Sequence, residues 1–300
     1  MSIIEFEKIR VDPLSSLYKK FHTNVDVLRL DLIHPVISGN KWFKLKEYLK
    51  DALLLDKTTI ATFGGAYSNH ILATAATARS AGMQSIGIIR GEKPPFLSST
   101  LNESLNLGME LFFSSREDYK RKKLPEELSE RSDADNIYLI NEGGYGAKGA
   151  EGAKDILRTI DFADYTHIIA AVGTGTTLAG LIAASHKKQK VVGISVLKNN
   201  FSLRKEIQGL LPFEKADQFV INNDYHFGGY AKYSPELIAF MNDWYKHTGI
   251  PSDFVYTGKL FCAVHELIQK GYFSPESRLL VIHSGGLQGN ISLPKGTLIF

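Results

Sequence analysis

The 300-residue chain is poor in the residues that crosslink a protein or hold a metal. Its single cysteine, Cys262, excludes a disulfide within the chain and a zinc site built on cysteines. Cys262 lies in the apolar helical pattern GKLFCAVHELI, so we expect a buried, unreactive thiol. The pair His265-Glu266 lacks the second histidine of a HExxH motif, and the nine histidines are scattered, so no metal site is expected.

The chain also lacks a strong excess of charge and a membrane-spanning segment. A net charge of +3 argues against a nucleic-acid partner and a membrane-surface partner. The one dense basic run, 120–123, is expected on a solvated helix face. The segment 167–185 has no Asp, Glu, Lys or Arg, but its glycines and threonines divide it into a strand, a loop and a helix. The N-terminus has no signal-peptide pattern, so a cytoplasmic protein is expected.

Apolar runs alternate with helical patterns along most of the chain. The patterns predict strands at 25–33, 59–63, 85–90, near 109, 136–140, 167–172, 191–196 and 277–283, and helices at 43–55, 68–81, from 176, and 235–247. Such alternation predicts α/β layers with mostly parallel strands. No linker in the composition marks a domain boundary.

The segment SGNKWFKLKEYL, 38–49, has an unusual helix start. Asn40 is a suitable N-cap residue. Lys41, Lys44 and Lys46 then crowd the end where the helix dipole is positive, which favours loss of a proton and leaves a nucleophilic neutral amine. The alternative is that these lysines point into water, at a cost of a few tenths of a kcal/mol.

Three predicted strands end in glycine-rich loops, and open α/β sheets bind ligands at the carboxyl ends of their strands. The first loop, FGGAYSNH, places Ser68 and Asn69 at a helix start, where they suit a carboxylate or a phenolic oxygen, or serve only as caps. The third loop, HSGGLQGN, places the Ser284 hydroxyl at a strand end, where it can meet a ring nitrogen or its own backbone.

The second loop, VGTGTTLAG, opens a helix with backbone N–H groups and threonine hydroxyls, which together suit an anion. It lacks the Gly-Lys-Ser/Thr of a nucleotide-binding P-loop. Leu178 also replaces the third glycine of the dinucleotide fingerprint, so one phosphate on a small cofactor fits better. Pyridoxal phosphate (PLP) needs a lysine, a phosphate cup, a donor near its phenolic oxygen and a partner for its ring nitrogen, and all four are present.

Six stretches then carry a resemblance to a known family: SGNKWFKLKEYL, FGGAYSNH, VGTGTTLAG, GGYAKYSPE, VYTGK and HSGG, in family order from near residue 25 to near residue 290. The sequence resembles the D-cysteine desulfhydrase and 1-aminocyclopropane-1-carboxylate (ACC) deaminase branch of the fold-type-II, tryptophan-synthase-β-like PLP enzymes. The stretch 91–136 carries no family motif, so the substrate-facing residues it contributes stay open.

The resemblance implies two open, twisted, mostly parallel sheets flanked by helices. A large PLP-binding domain, 1–52 and 146–300, is expected to carry a smaller inserted domain, 53–145, in a homodimer. Lys41 is expected to bind PLP covalently, with Lys44 contributing charge. The remaining matches are Ser68 and Asn69 for the substrate carboxylate and the phenolic oxygen, His70 nearby, Tyr230 and Tyr256 facing the substrate, and a phosphate loop of Gly173, Thr174, Gly175, Thr176 and Thr177.

Two departures bear on the reaction. ACC deaminases in this family typically carry glutamate where this chain has Thr257, near the pyridine nitrogen, and leucine where it has Ser284. A hydroxyl bonds a neutral ring nitrogen but does not stabilise a pyridinium, so the ring is a weaker electron sink. This favours β-elimination of a small amino acid, D-cysteine first, to pyruvate, ammonia and hydrogen sulfide. ACC deamination to 2-oxobutanoate, lyase action on D-serine or another β-substituted amino acid, and non-enzymatic binding of a small molecule are the alternatives.

Overall fold

A computed structural model of the chain describes residues 4–300. Its ten strands are β1 Val11–Pro13, β2 Asn24–Arg29, β3 Thr59–Gly64, β4 Gln84–Arg90, β5 Met109–Ser114, β6 Ile137–Ile140, β7 His167–Val172, β8 Lys190–Ser195, β9 Phe219–Asn222 and β10 Arg278–His283. Its α-helices are α1 Ser15–Tyr18, α2 Asn40–Leu54, α3 Asn69–Ser80, α4 Ser99–Asn106, α5 Arg116–Arg121, α6 Glu126–Ser129, α7 Ala147–Lys154, α8 Thr176–Ala184, α9 Leu203–Gln208, α10 Pro235–Thr248 and α11 Thr257–Gln269.

The strands form two sheets. Six strands pair in the order β1-β2-β10-β7-β8-β9, and all pairs are parallel except β1 with β2. Four strands pair in the order β5-β4-β3-β6, all parallel. The predicted α/β fold with two mostly parallel sheets flanked by helices is therefore confirmed.

The four-stranded sheet uses only strands between Thr59 and Ile140, and the six-stranded sheet uses strands on both sides of that segment. This arrangement fits a domain inserted into a larger one. The domain boundaries, 53 and 145, stay predictions.

Helix α7 packs tightly between α2 and α8. A side chain at Gly152 would collide with the backbone carbonyl of Phe43 in α2. A Cβ at Gly180 of α8 would lie 2.6 Å from the carbonyl oxygen of Ala150. Small residues at these crossings let the helix axes approach, and the apolar area buried there holds α2 against the large sheet.

Three details of the sequence-based prediction are corrected. The strand predicted at 25–33 ends at Arg29, because the chain turns into a 3₁₀ helix, Leu30–Leu32. The turn lets the buried Arg29 guanidinium bind both carboxylate oxygens of Asp31, at 2.8 and 2.7 Å. Helix α2 begins at Asn40 itself with Gly39 as its N-cap residue, so the N-cap predicted at Asn40 is wrong.

The third correction concerns the basic run 120–123. Helix α5 ends at Arg121, and Lys122 has left-handed backbone angles. Its amine lies 3.4 Å from the centre of the Tyr119 ring and does not point freely into solvent from a helix face.

Two further predictions, on the segment 167–185 and on Cys262, are confirmed. The segment 167–185 divides into β7, a loop and α8. No helix within 4–300 is long and apolar enough to cross a membrane. Cys262 is buried in α11, where burial raises the pKa of its thiol to about 12.

Candidate active site

Lys41 and Lys44 point into the protein from the first turns of α2. Burial lowers the pKa of Lys41 to about 8, and the Asp253 carboxylate opposes this shift. Burial, with the nearby Lys41, lowers the pKa of Lys44 well below its ordinary value, and its amine donates to the Gly143 carbonyl. Lys46 instead forms an ion pair with Asp155. The predicted loss of basicity thus holds for the first two lysines, with burial as the main cause.

The side chain of Asn40 connects Lys41 to the second glycine loop. Its Oδ1 accepts a hydrogen bond of 2.9 Å from the Lys41 amine. Its Nδ2 donates one of 2.8 Å to the Thr177 hydroxyl. An amide has the donor and the acceptor that both bonds need.

The first glycine loop leads into α3 through Ser68. The Ser68 hydroxyl caps the helix by accepting a hydrogen bond from the N–H of Ile71 at 3.4 Å. Asn69 is buried, and its Nδ2 lies 3.5 Å from the Gly286 carbonyl. Its Oδ1 is buried and makes no hydrogen bond within the described part of the chain. The predicted pair therefore brings one capping hydroxyl and one unpaired amide oxygen to this position.

His70 lies behind the loop and is neutral. The Thr62 hydroxyl donates its proton to the Ile140 carbonyl at 2.9 Å, so it accepts from His70 Nε2 at 3.0 Å. Burial lowers the pKa of His70 well below its ordinary value, with Lys44 and Lys41 adding to the shift. Its Nδ1 is buried with no partner among residues 4–300.

The second glycine loop opens helix α8 as predicted. Gly175 is the N-cap residue at φ +84°, and no side chain caps the helix. A Cβ at Gly175 would press against Ile207, so only glycine fits this turn. The N–H groups of the first turn therefore keep no partner within the helix, beside the hydroxyls of Thr174 and Thr176, which lie 3.3 Å apart. This arrangement suits a phosphate.

Tyr256 and Tyr230 form the aromatic side of the site. Their rings meet edge to face, with centroids 6.0 Å apart. The Lys41 amine lies 5.7 Å from the centre of the Tyr256 ring. A Cβ at Gly173 would lie 3.3 Å from the Tyr256 hydroxyl, so this ring also borders the phosphate loop. Burial raises the pKa of both tyrosines, which keeps them protonated at neutral pH.

Lys259, which sequence reasoning did not single out, holds the loop that carries Tyr230. Its side chain is fully buried in the first turn of α11. Its amine donates to the carbonyls of His226, at 2.9 Å, and Gly229, at 2.7 Å. Lys259 therefore joins α11 to the segment that ends at Tyr230.

Asp253 organises the start of α11, and Thr257 belongs to this cap. The Asp253 carboxylate accepts from the N–H groups of Val255, Tyr256 and Thr257, at 2.9 to 3.0 Å, and from the Thr257 hydroxyl at 2.7 Å. The Thr257 hydroxyl in turn accepts from the Asp253 N–H at 2.8 Å. Since this hydroxyl both donates to and accepts from Asp253, the structure places Thr257 in a structural role that the sequence did not predict.

Ser284 follows β10 and lies against the start of α2. Its carbonyl accepts from the Asn40 N–H at 3.2 Å, and a Cβ at Gly39 would collide with this carbonyl. The Ser284 hydroxyl makes no hydrogen bond within 4–300, unlike that of Thr257. Of the two hydroxyls predicted near a ring nitrogen, only that of Ser284 is free to reach a ligand.

The residues fit the cofactor that the sequence pattern predicts. Asn69 offers its amide Nδ2 as the donor, which is held only by a long 3.5 Å bond to the Gly286 carbonyl, and α8 offers an uncapped helix start. The amine of Lys41 has a lowered pKa, and the hydroxyl of Ser284 is unbonded. These are the four parts that PLP requires, and they come from four separate segments that the fold brings together.

Sequence reasoning missed the functional contacts of Asn40, Asp253 and Lys259. Lys259 is the lysine of the motif VYTGK. The motif alone does not indicate its role, because the carbonyls that Lys259 binds lie in another loop. Asn40 carried a capping pattern that pointed to a different role. No local pattern around Asp253 distinguishes it from an ordinary helix-capping residue.

Comparison with known proteins identifies related chains. A Thermotoga maritima protein with the provisional name 1-aminocyclopropane-1-carboxylate deaminase is 32% identical, over 92% of this chain and 93% of its own length. The crystal structure of an ACC deaminase homologue superposes with a TM-score of 0.80 at 26% identity, over 94% of this chain and 90% of that one.

A fungal L-serine ammonia-lyase from Rhizomucor miehei shares the fold, with a TM-score of 0.67 at 15% identity, over 95% of each chain. The family model for pyridoxal-phosphate dependent enzymes matches residues 8–285, which is most of the chain. The chain belongs to the family of pyridoxal-phosphate dependent enzymes.

Proposed function

We propose that this enzyme catalyses β-elimination on a small D-amino acid, D-cysteine first, in the manner of an amino-acid lyase. The proposal depends on which side chains lie near the expected position of the pyridine nitrogen: they are hydroxyls, and no glutamate of the described residues is among them. Ser284 offers a free hydroxyl there, and Thr257 replaces the glutamate typical of the ACC-opening branch. A hydroxyl leaves the ring a weaker electron sink, which suffices for expelling hydrosulfide.

The residues then take the following roles. Lys41 binds the cofactor, and the uncapped start of α8 with Thr174 and Thr176 holds its phosphate. Ser68 and Asn69 bind the substrate carboxylate and the phenolic oxygen. When bound, PLP supplies an electron sink for negative charge at the α carbon.

Lys41 is also the base in this proposal. Its pKa of about 8 leaves a useful fraction of neutral amine at neutral pH, and this amine removes the α proton. The bond between Cβ and sulfur breaks, and hydrosulfide leaves with the electron pair. Tyr230 and Tyr256 stay protonated, so they serve as hydrogen-bond donors at the substrate. Water hydrolyses the released enamine to pyruvate and ammonia.

ACC deamination is the second candidate, because the T. maritima relative carries that name provisionally. The PLP-loaded enzyme should be incubated separately with D-cysteine, L-cysteine and ACC, and sulfide and keto acid assayed. Sulfide and pyruvate from D-cysteine alone are expected. Formation of 2-oxobutanoate from ACC would reject the elimination assignment and support the second candidate.

The role of Lys41 has a matched control on the same helix. Lys41→Ala should abolish both turnover and the visible absorbance of lysine-bound cofactor. Lys46→Ala removes a lysine that pairs with Asp155 and should keep both. Retained turnover in Lys41→Ala would contradict the mechanism. A homodimer remains a proposal from the family resemblance, and a cytoplasmic location remains a separate proposal.

A further inference from the structure

The carboxyl edge of the small sheet carries a group of charged and aromatic residues beside the active site. Strand β4 ends at Arg90, next to the end of β3, from which the Gly64–Asn69 loop leaves. Strand β6 leads to Glu142, one residue before the Gly143 carbonyl that binds Lys44. Ligands gather at this edge of parallel sheets.

Two of these charges neutralise each other. The Glu142 carboxylate accepts from the Tyr119 hydroxyl at 2.8 Å and from the Lys122 amine at 2.7 Å. The Lys122 amine lies over the Tyr119 ring, 3.4 Å from its centre. Tyr119 and Lys122 come from the stretch 91–136, which carries no family motif.

Arg90 is left without a counter-ion. Its guanidinium carbon lies 6.0 Å from the centre of the Tyr119 ring, and it forms no ion pair or hydrogen bond with any described residue. Its side chain is exposed. A Cβ at Gly65 would lie 3.9 Å from Arg90 Nη2 and would meet no other atom within 4 Å. The guanidinium therefore borders the loop that carries Ser68 and Asn69.

Glu142 and Arg90 also lie within electrostatic range of Tyr230. Burial raises the pKa of Tyr230, Glu142 adds to that effect and Arg90 opposes it. Arg90 thus lies close enough to act on a hydroxyl that is expected to face the substrate.

We propose that Arg90 binds an anionic group on the side chain of the substrate, and this assignment rests on the proposed function of the site. The substrate class is amino acids whose β substituent carries a carboxylate, phosphate ester or sulfonate in addition to the α-carboxylate. A guanidinium binds such groups through two parallel hydrogen bonds. Elimination is balanced in the same way: the α proton goes to the base, the substituent leaves with the Cβ bond pair, and water yields the keto acid and ammonia. D-cysteine undergoes the same elimination, but its side chain has no carboxylate, phosphate ester or sulfonate for Arg90 to bind.

D-aspartate and D-asparagine provide a matched pair of probes, because they have the same shape and differ in side-chain charge. Their binding to the PLP-loaded enzyme is measured by calorimetry and by the change in cofactor absorbance. The wild type should bind D-aspartate about 10 to 100 times more tightly, the range for hydrogen bonds to a charged group. Arg90→Met should remove this preference and leave D-asparagine binding within about twofold. Arg90→Lys should keep part of it, because the charge remains and the paired geometry is lost.

Arg79→Met is the control, since Arg79 lies at the far end of α3, where it donates to the Asn106 carbonyl at 2.9 Å. It should keep the wild-type preference. An equal loss of both ligands in Arg90→Met would overturn the proposal, because Arg90 would then serve the α-carboxylate. An unchanged preference, or none in the wild type, would also overturn it. Failure of the proposed function is separate: a charge preference without sulfide from D-cysteine would reject the elimination and keep the Arg90 site.

Discussion

The Lys41 amine donates a 2.9 Å hydrogen bond to the side chain of its neighbour in the chain, Asn40. Asn40 is in turn fixed by its bond to Thr177 in the loop expected to hold the phosphate. The Lys41 amine is therefore positioned by the same segment that is expected to position the cofactor. This coupling leads to the first prediction.

Asn40→Ala should lower kcat by about 10 to 100-fold, because a misplaced amine loses much of the benefit of orientation. The free energy of unfolding should also fall by about 1 to 3 kcal/mol, because the Lys41 amine and the buried Thr177 hydroxyl lose their Asn40 partner. Asn40→Asp is the matched variant: it keeps the acceptor and adds a negative charge, so the Lys41 pKa should rise. Unchanged kcat in Asn40→Ala, measured at saturating substrate, would contradict the positioning role.

Cofactor capture by the apoenzyme should depend on the protonation of Lys41. Its pKa is lowered to about 8, and only the neutral amine attacks an aldehyde. The rate of PLP uptake should rise with pH and level off above about 8, followed by stopped-flow absorbance. In Asn40→Asp the plateau should move to higher pH. A plateau near 10.5 in the wild type would show that Lys41 keeps an ordinary pKa.

The hydroxyls of Thr257 and Ser284 should respond differently to removal. Thr257→Val leaves a buried Asp253 with one donor fewer and should cost about 1 to 3 kcal/mol in free energy of unfolding. Thr257→Ser keeps the hydroxyl and should recover most of this stability. Ser284→Ala should leave the free energy of unfolding nearly unchanged and lower kcat. Denaturant titration beside turnover distinguishes the two, and a stable Thr257→Val with lost turnover would reverse the assignment.

Lys259 should make the free energy of unfolding of the holoenzyme change with pH in the alkaline range. Burial lowers its pKa to about 8 in the folded protein, against 10.5 for an ordinary lysine. Between these values the unfolded chain binds the proton more readily, so the contribution of Lys259 to stability rises with pH from about 8 to 10.5 and is lowest below about 8. Lys259→Met should flatten this rise in a comparison of unfolding curves.

The same variant should also affect the substrate side, because Lys259 binds the carbonyls of His226 and Gly229 beside Tyr230. We expect a raised KM with the absorbance of lysine-bound PLP retained. A KM equal to that of the wild type would show that the Tyr230 loop holds its position without Lys259.

The sheets were predictable because their strands are local apolar runs, such as Thr59–Gly64, and because strand–helix alternation allows few arrangements. The glycine loops were predictable because helix starts and left-handed glycines have a local pattern, as at Gly175. In each case the physical cause lies within a few neighbouring residues.

The remaining details depend on contacts between distant segments. Asn40 looked like an N-cap residue, but Gly39 must approach the Ser284 carbonyl so closely that the cap falls one residue earlier. Lys122 looked like a solvated charge, but Glu142 of another segment pairs with it. No sequence pattern around Arg90 indicates its proposed role, because that role depends on the absence of a counter-ion within the described part of the folded structure. Such roles follow from the assembled site and not from sequence neighbours.

The strand order of the large sheet has a consequence for how the enzyme is made. Strand β2, near the start of the chain, pairs along its length with β10, near the end. The small sheet uses a continuous stretch of the chain and can form once the segment through Ile140 has emerged from the ribosome. Non-local pairing is slow and comes last in folding. We therefore expect the nascent chain on the ribosome to have its small sheet in place while the Lys41 pocket is still open, with cofactor capture as a late event after chain release.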